Sequence, residues 1–147
     1  MRGNPKDRLW PNMLAGLAMT MVVLFSQPPA ALARNQPSPD QLRQIVETFG
    51  SRYDQAQGKQ FAEAVLHPYV MGMDGGKYRD YQSMHRLISE TWAGMSIRYE
   101  FLSIRIEEDG LGIVEVHEHP PNEKWRSTFI FTGGQRWRLI QYRSERL

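Results

Sequence analysis

The chain has 147 residues, 41% hydrophobic and 23% charged, which suits one globular domain with a modest core. It has no cysteine, and this excludes disulfides, a thiol nucleophile, a thiolate metal site and a lipid-modified cysteine. The formal net charge of +2 belongs to the first residues, where Arg2, Lys6 and Arg8 outnumber Asp7; the remainder is balanced and lacks the basic excess that nucleic acid requires.

Residues 1–33 have the pattern of a secretory signal peptide. A basic start leads into the uncharged, mostly apolar run Met13–Phe25, which is short of the ~20 residues of a membrane-spanning helix. Gln27, Pro28 and Pro29 break the run, and Ala31-Leu32-Ala33 is a small-x-small cleavage signature. The expectation is export to the periplasm or the medium, with no membrane attachment after cleavage. An uncleaved amphipathic anchor is the other reading. Residues 34–38 read as a linker and 39–147 as one domain.

Ser38-Pro39-Asp40-Gln41 opens the first helix as a capping box with proline at the first helical position. Leu42, Ile45, Val46, Phe49, Tyr53 and Ala56 form one apolar stripe, which predicts a helix running to Gly58. Gly50 inside it costs about 1 kcal/mol against Ala, unless it lets the sheet approach closely. A second helix from Lys59 to Leu66 buries Phe61, Ala64 and Val65 and stops at His67-Pro68. Tyr69–Met73 is a short strand, and Asp74-Gly75-Gly76 a turn. A third helix is capped by Asp80, carries Tyr81, Met84, Ile88 and Trp92 on one face, and ends at Gly94.

Strands follow. In Ser96–Glu107 the apolar phase flips between Phe101 and Leu102, which predicts a β-bulge. Glu108-Asp109-Gly110 turns the chain into Leu111–His119, and Pro120-Pro121 stops that strand. The end of the chain, Lys124–Ser144, is a hairpin through Gly133-Gly134. Its first strand alternates Trp125, Ser127, Phe129 and Phe131 with Arg126, Thr128 and Ile130. Its second alternates Trp137, Leu139, Gln141 and Arg143 with Arg138, Ile140 and Tyr142. The face carrying Arg126, Thr128, Ile130, Arg138, Ile140 and Tyr142 mixes apolar and basic residues, as a surface for a second copy or another partner would.

Few residues suggest chemistry. Glu115, His117 and His119 share one face and read as an open metal site or as a solvated strand end. With no supporting partner residue to name, neither a metal nor any cofactor is assigned. His67 reads as a capping or packing residue. Gly-x-Ser-x-Gly, His-Glu-x-x-His and phosphate-loop motifs are absent from the chain. The aromatic set Phe49, Tyr53, Trp92, Tyr99, Trp125 and Trp137 reads mostly as core, and any gap within it suits a flat apolar ligand.

Thr128-Phe129-Ile130-Phe131, the turn Gly133-Gly134-Gln135, and Arg136-Trp137-Arg138-Leu139-Ile140-Gln141-Tyr142-Arg143-Ser144 resemble the closing hairpin of the nuclear transport factor 2-like superfamily, also called SnoaL-like or cone-fold proteins. The resemblance runs from about Pro39 to the C-terminus. It implies an α+β domain with three N-terminal helices packed in the concave face of a strongly curved, mostly antiparallel sheet. It also implies a pocket at the mouth of the cone, with Trp92, Tyr99, Trp137, Gln141 and Arg143 as ligand-binding residues. Asp74 falls about where ketosteroid isomerases of this superfamily carry a catalytic carboxylate, and Tyr53 or His85 would be the donor. Asp before Gly-Gly also serves turn geometry, and no second carboxylic acid is evident where the sheet should supply one. Gln141 and Arg143 stand where many relatives carry histidines. The resulting expectation is an exported, non-catalytic module that binds a small apolar or amphipathic ligand or assembles with itself through the sheet. The alternatives are an isomerase, cyclase or dehydratase with Asp74 as base, and an envelope protein–protein interaction domain.

Overall fold

The computed structural model describes residues 38–147. The expected signal peptide, residues 1–33, and most of the expected linker lie outside the described residues.

Helix α1 spans Pro39–Phe49. Ser38 Oγ accepts from the Gln41 amide at 3.4 Å, and the Gln41 side chain accepts from the Ser38 amide at 3.0 Å, so the expected capping box forms. The helix stops at Gly50 rather than Gly58. A second capping box, Asp54 with Gln57, opens α2 (Gln55–Val65) one turn earlier than expected. Arg52, at φ 61°, makes the corner between them. The apolar stripe continues through the break because Tyr53 also turns inward, while Ala64 faces out.

Strands β1 (Leu66–Asp74) and β2 (Lys77–Arg79) form the short hairpin. Pro68 lies inside β1, where the register against the neighbouring strand shifts between Leu66 and Met71; proline has no amide to donate there. Helix α3 (Tyr81–Arg86), capped by Asp80, runs into one π turn over Leu87–Thr91. Strands β3 (Arg98–Ile106), β4 (Leu111–His119), β5 (Trp125–Thr132) and β6 (Arg138–Arg146) complete a six-stranded sheet ordered β2-β1-β6-β5-β4-β3. Only β1 and β6 run parallel. The three helices pack against this mostly antiparallel sheet, an α+β architecture.

The bulge expected in β3 is present, between Phe101 and Ser103. A second, unforeseen bulge lies in β6, where Ile130 pairs with Gln141 but Phe131 pairs with Leu139, leaving Ile140 over. It reverses the alternation beyond it. Leu139, Tyr142 and Ser144 point into the core, and Gln141 and Arg143 turn to the other face. The face that strict alternation gives to Trp137, Leu139, Gln141 and Arg143 together is therefore split by the bulge, and Tyr142 moves from the outer face to the inner one.

The core lies between α1 and the inner face of the sheet. Leu42, Val46 and Phe49 meet Val114, Val116, Phe129, Phe131 and Leu139, all fully buried. Phe49 stacks on Phe129 with ring centroids 5.4 Å apart and meets Trp92 edge-on, also at 5.4 Å. Such pairs each add roughly 0.5–1.5 kcal/mol beyond the area they bury. Gly50 brings α1 against β3: a Cβ there would sit 2.2 Å from the Ile97 carbonyl oxygen.

Candidate functional site

The inner face is apolar along most of its length and polar at one end. Inward residues run Val114, Val116, then Glu118 on β4; Phe131, Phe129, then Ser127 on β5; Leu139, Tyr142, then Ser144 on β6. Ser127 pairs with Ser144 across β5–β6, and Ser144 with Asp74 across β6–β1. Asp74, Ser144, Ser127 and Glu118 thus form a polar row across four strands. Leu87 and Thr91 from the π turn, Trp92 just after it, and then Met95 and Ile97 face Asp74 and Glu118. Asp74 and Glu118 of that row, with the covering side chains and Tyr142, line a cavity of about 190 Å³ that has Glu123 and Trp125 at its rim.

Glu118 is the unusual member. It is only 5% exposed. Burial pushes its carboxyl up to about 7; the Asp74 carboxylate adds to that, while the Ser127 and Tyr142 hydroxyls favour the ionised form. Tyr142 donates to Glu118 Oε1 over a long 3.4 Å. The Ser127 hydroxyl is buried beside the carboxyl without a well-aligned hydrogen bond. Tyr99 is held well above the ordinary phenol value by burial, then by Glu118, and its buried hydroxyl has no partner among the described residues. A carboxyl that exchanges a proton near neutrality, beside phenols that keep theirs, can accept or donate one.

Asp74 is held differently. Its Oδ2 accepts from Arg79 Nε at 2.9 Å and pairs with Nη2 at 2.8 Å, and its Oδ1 accepts from Ser144 Oγ at 2.9 Å. Arg79 Nη1 donates onward to Ser83 at 3.1 Å. Asp74 lines the cavity but spends its acceptors on protein groups.

No protein-family profile matches the chain, and no curated protein matches it in sequence. Solved structures do. An NTF-2 like protein of unknown function from Silicibacter pomeroyi DSS-3 superposes with a TM-score of 0.59 at 10% identity, over 72% of this chain and 92% of that one. A ketosteroid isomerase-like protein from Parabacteroides distasonis ATCC 8503 gives 0.58 at 9% identity, over 77% and 90%. A DUF4783 family protein from Bacteroides uniformis ATCC 8492 gives 0.53 at 13% identity, over 69% and 94%. The chain has the nuclear transport factor 2-like fold. At these identities the likeness is one of fold, and it singles out no subfamily.

Within the nuclear transport factor 2-like fold, the residues expected to act fall in several places. Asp74 and Trp92 line the cavity. Tyr53 is buried in the α1–α2 connection, and its hydroxyl donates to the Ile88 carbonyl, tying that connection to the π turn. His85 lies over α2, with Nε2 3.6 Å from Glu63 and Nδ1 3.4 Å from Ser89. Tyr99 faces inward beside Phe129. Trp137 is buried at the far end of the sheet, against Gly112 and Gly133. Arg143 lies on the outer face, lining a groove of about 410 Å³ with Met73, Glu115, Arg126 and Thr128, and Gln141 shares that face. His67 accepts from the Tyr69 amide at 3.1 Å. The histidine pair of β4 meets Glu100 rather than Glu115, with His117 Nδ1 at 3.5 Å and His119 Nε2 at 3.3 Å. Glu115 instead accepts from Ser103. Among the described residues no three such side chains are grouped to hold a metal ion.

Sequence reasoning missed Glu118, although its signal was present. Val114 and Val116 are apolar and share one phase of β4, and two residues further in the same phase stands a glutamate. The sheet does supply a second carboxylic acid.

Proposed function

We propose that the protein is an exported small-molecule-binding module of the nuclear transport factor 2-like fold, with its ligand seated over Glu118. The observation that carries this reading is a buried, ionisable carboxyl at the floor of an aromatic-walled cavity. Burying such a group without a counter-charge is costly, and sites that do so are disproportionately functional. At about 190 Å³ the cavity is below the usual ~300–1,000 Å³ of drug-sized sites, which restricts the ligand to a small molecule. Fragment screening by amide NMR tests it. Shifts concentrated at Thr91, Trp92, Met95 and Trp125 are expected. Shifts confined to the outer-face groove would remove the assignment.

A proton-transfer enzyme, an isomerase or dehydratase, is the second reading. What favours it is the contrast between the two carboxyls: Asp74 is tied to Arg79 and Ser144, and Glu118 has one long hydrogen bond and a pKa of about 7. The base in this reading is Glu118 in place of Asp74. Deuterium exchange at the α-carbon of small ketones, compared between the wild type and Glu118→Gln, checks it; equal rates exclude it. Assembly through the outer face is a third reading, supported by the exposed side chains of Tyr69, Met71, Met73 and Tyr78 along the β1–β2 hairpin.

A further inference from the structure

The walls of the Glu118 cavity carry a charge bias. Three carboxyl side chains line it, Asp74, Glu118 and Glu123, against one cation, Arg79. Arg79 is committed, with Nε and Nη2 on Asp74 and Nη1 on Ser83. Glu123 accepts from Trp125 Nε1 at 2.9 Å and lies 3.6 Å from Arg146. Glu118 has no cationic partner among the described residues. The Ser127 hydroxyl beside it, on a residue 1% exposed, makes no well-aligned hydrogen bond among the described residues. The remaining walls include three aromatic side chains, Trp92, Trp125 and Tyr142.

We infer that the cavity takes a small organic cation, an alkylammonium or quaternary ammonium group, with its charge against Glu118 and its alkyl groups against Trp92 and Trp125. The inference rests on the reading that this cavity is the ligand seat. An anion would meet Glu118 and Glu123 with no free cation among the described cavity residues to hold it. A neutral apolar ligand would cap Glu118 and leave the carboxyl without a counter-charge. A cation supplies that counter-charge, and aromatic faces attract it.

Binding is then linked to protons. The groups around Glu118 are Tyr142 on β6, Tyr99 on β3, Asp74 on β1 with its Arg79, Ser127 on β5, and Glu123 at the rim. Burial raises both tyrosines well above the ordinary phenol value, so they keep their protons from pH 6 to 8. Glu118 passes from mostly neutral to mostly ionised over that range, and affinity for a cation rises about tenfold with it.

Calorimetry on the purified protein tests this with choline and 3,3-dimethylbutan-1-ol, which shares its shape without the charge. Choline is expected to bind at least tenfold more tightly, to release protons at pH 6, and to gain about tenfold in affinity by pH 8. Glu118→Gln is expected to abolish the pH dependence. Trp125→Leu, at the half-buried rim, should weaken choline more than the alcohol. Equal affinity for both probes overturns the cation and leaves the ligand seat standing. If neither probe shifts the amide signals of Thr91, Trp92 or Trp125 at millimolar concentration, both fail.

Discussion

The Tyr142 hydroxyl reaches over β5 to donate to the Glu118 carboxyl on β4, so two buried groups on non-adjacent strands share one proton-bearing contact. Ser127 lies on the intervening strand, beside the carboxyl. This contact marks where the apolar inner face turns polar.

The first consequence is a stability that depends on Glu118. Its carboxyl ionises at about 7 in the folded chain, against an ordinary value of 4.5. Between those values the folded state binds more proton than the unfolded one, so this group's contribution falls as pH rises through that window. The loss is on the order of 3 kcal/mol, complete above the folded value. Glu118→Gln has no charge to bury. It should melt several degrees above the wild type at pH 8 and close to it at pH 4.5. Calorimetric melts at the two pH values measure the difference, and a constant offset would contradict it.

Tyr142→Phe removes a donor that favours the ionised Glu118. The carboxyl should titrate higher than in the wild type, followed through its side-chain carbon by NMR. The stability lost at pH 8 should be roughly 1–3 kcal/mol, because the carboxylate loses a hydrogen bond while buried. An unchanged titration would mean that the long 3.4 Å contact carries no energy.

The legible and illegible parts of the fold differ for physical reasons. The β3 bulge was visible because a large apolar residue stands on each side of the phase flip, Phe101 and Leu102. The β6 bulge was hidden because Gln141 and Arg143 have long side chains that alternation alone leaves free to face either way. The α1–α2 break was hidden by Tyr53 and Ala56, which extend the helical stripe, although the Asp54–Gln57 box that starts α2 was there to be read. Glu118 escaped because a glutamate in a strand between two histidines looks solvated until its phase with Val114 and Val116 is followed to the end.

Gly50 tests the close approach of α1 to the sheet. An added Cβ would meet the Ile97 carbonyl oxygen at 2.2 Å and a Tyr99 ring carbon at 2.8 Å. The Ile97 amide donates to the Gly50 carbonyl at 3.1 Å, which holds that backbone close to α1. Gly50→Ala should cost about 1–3 kcal/mol or more. Chemical denaturation measures it, and a stabilised variant would mean that α1 can shift outward freely.

The outer face yields a prediction about assembly. Met71 and Met73 project from β1 at 53% and 40% exposure, beside Gln141 and Arg143 of β6. If two copies meet there, Met73→Asp should convert a dimer to a monomer in light scattering without lowering the melting temperature of the dilute chain. A wild type that stays monomeric at high concentration excludes this interface.

Asp74→Asn separates positioning from proton transfer. One oxygen of Asp74 holds two nitrogens of Arg79, and the other accepts from Ser144. Arg79 is largely buried, at 17% side-chain exposure, so an asparagine leaves a guanidinium with a neutral and weaker acceptor. The cost should be roughly 1–3 kcal/mol of stability. Any proton-transfer activity should keep a pH profile with a limb near the Glu118 value, shifted down, because the Asp74 charge helps to raise that carboxyl. Glu118→Gln should remove the limb altogether. If Asp74→Asn instead abolishes the limb and Glu118→Gln leaves it in place, the roles of the two carboxyls are reversed, with Asp74 as the base and its ion pair opening on ligand entry.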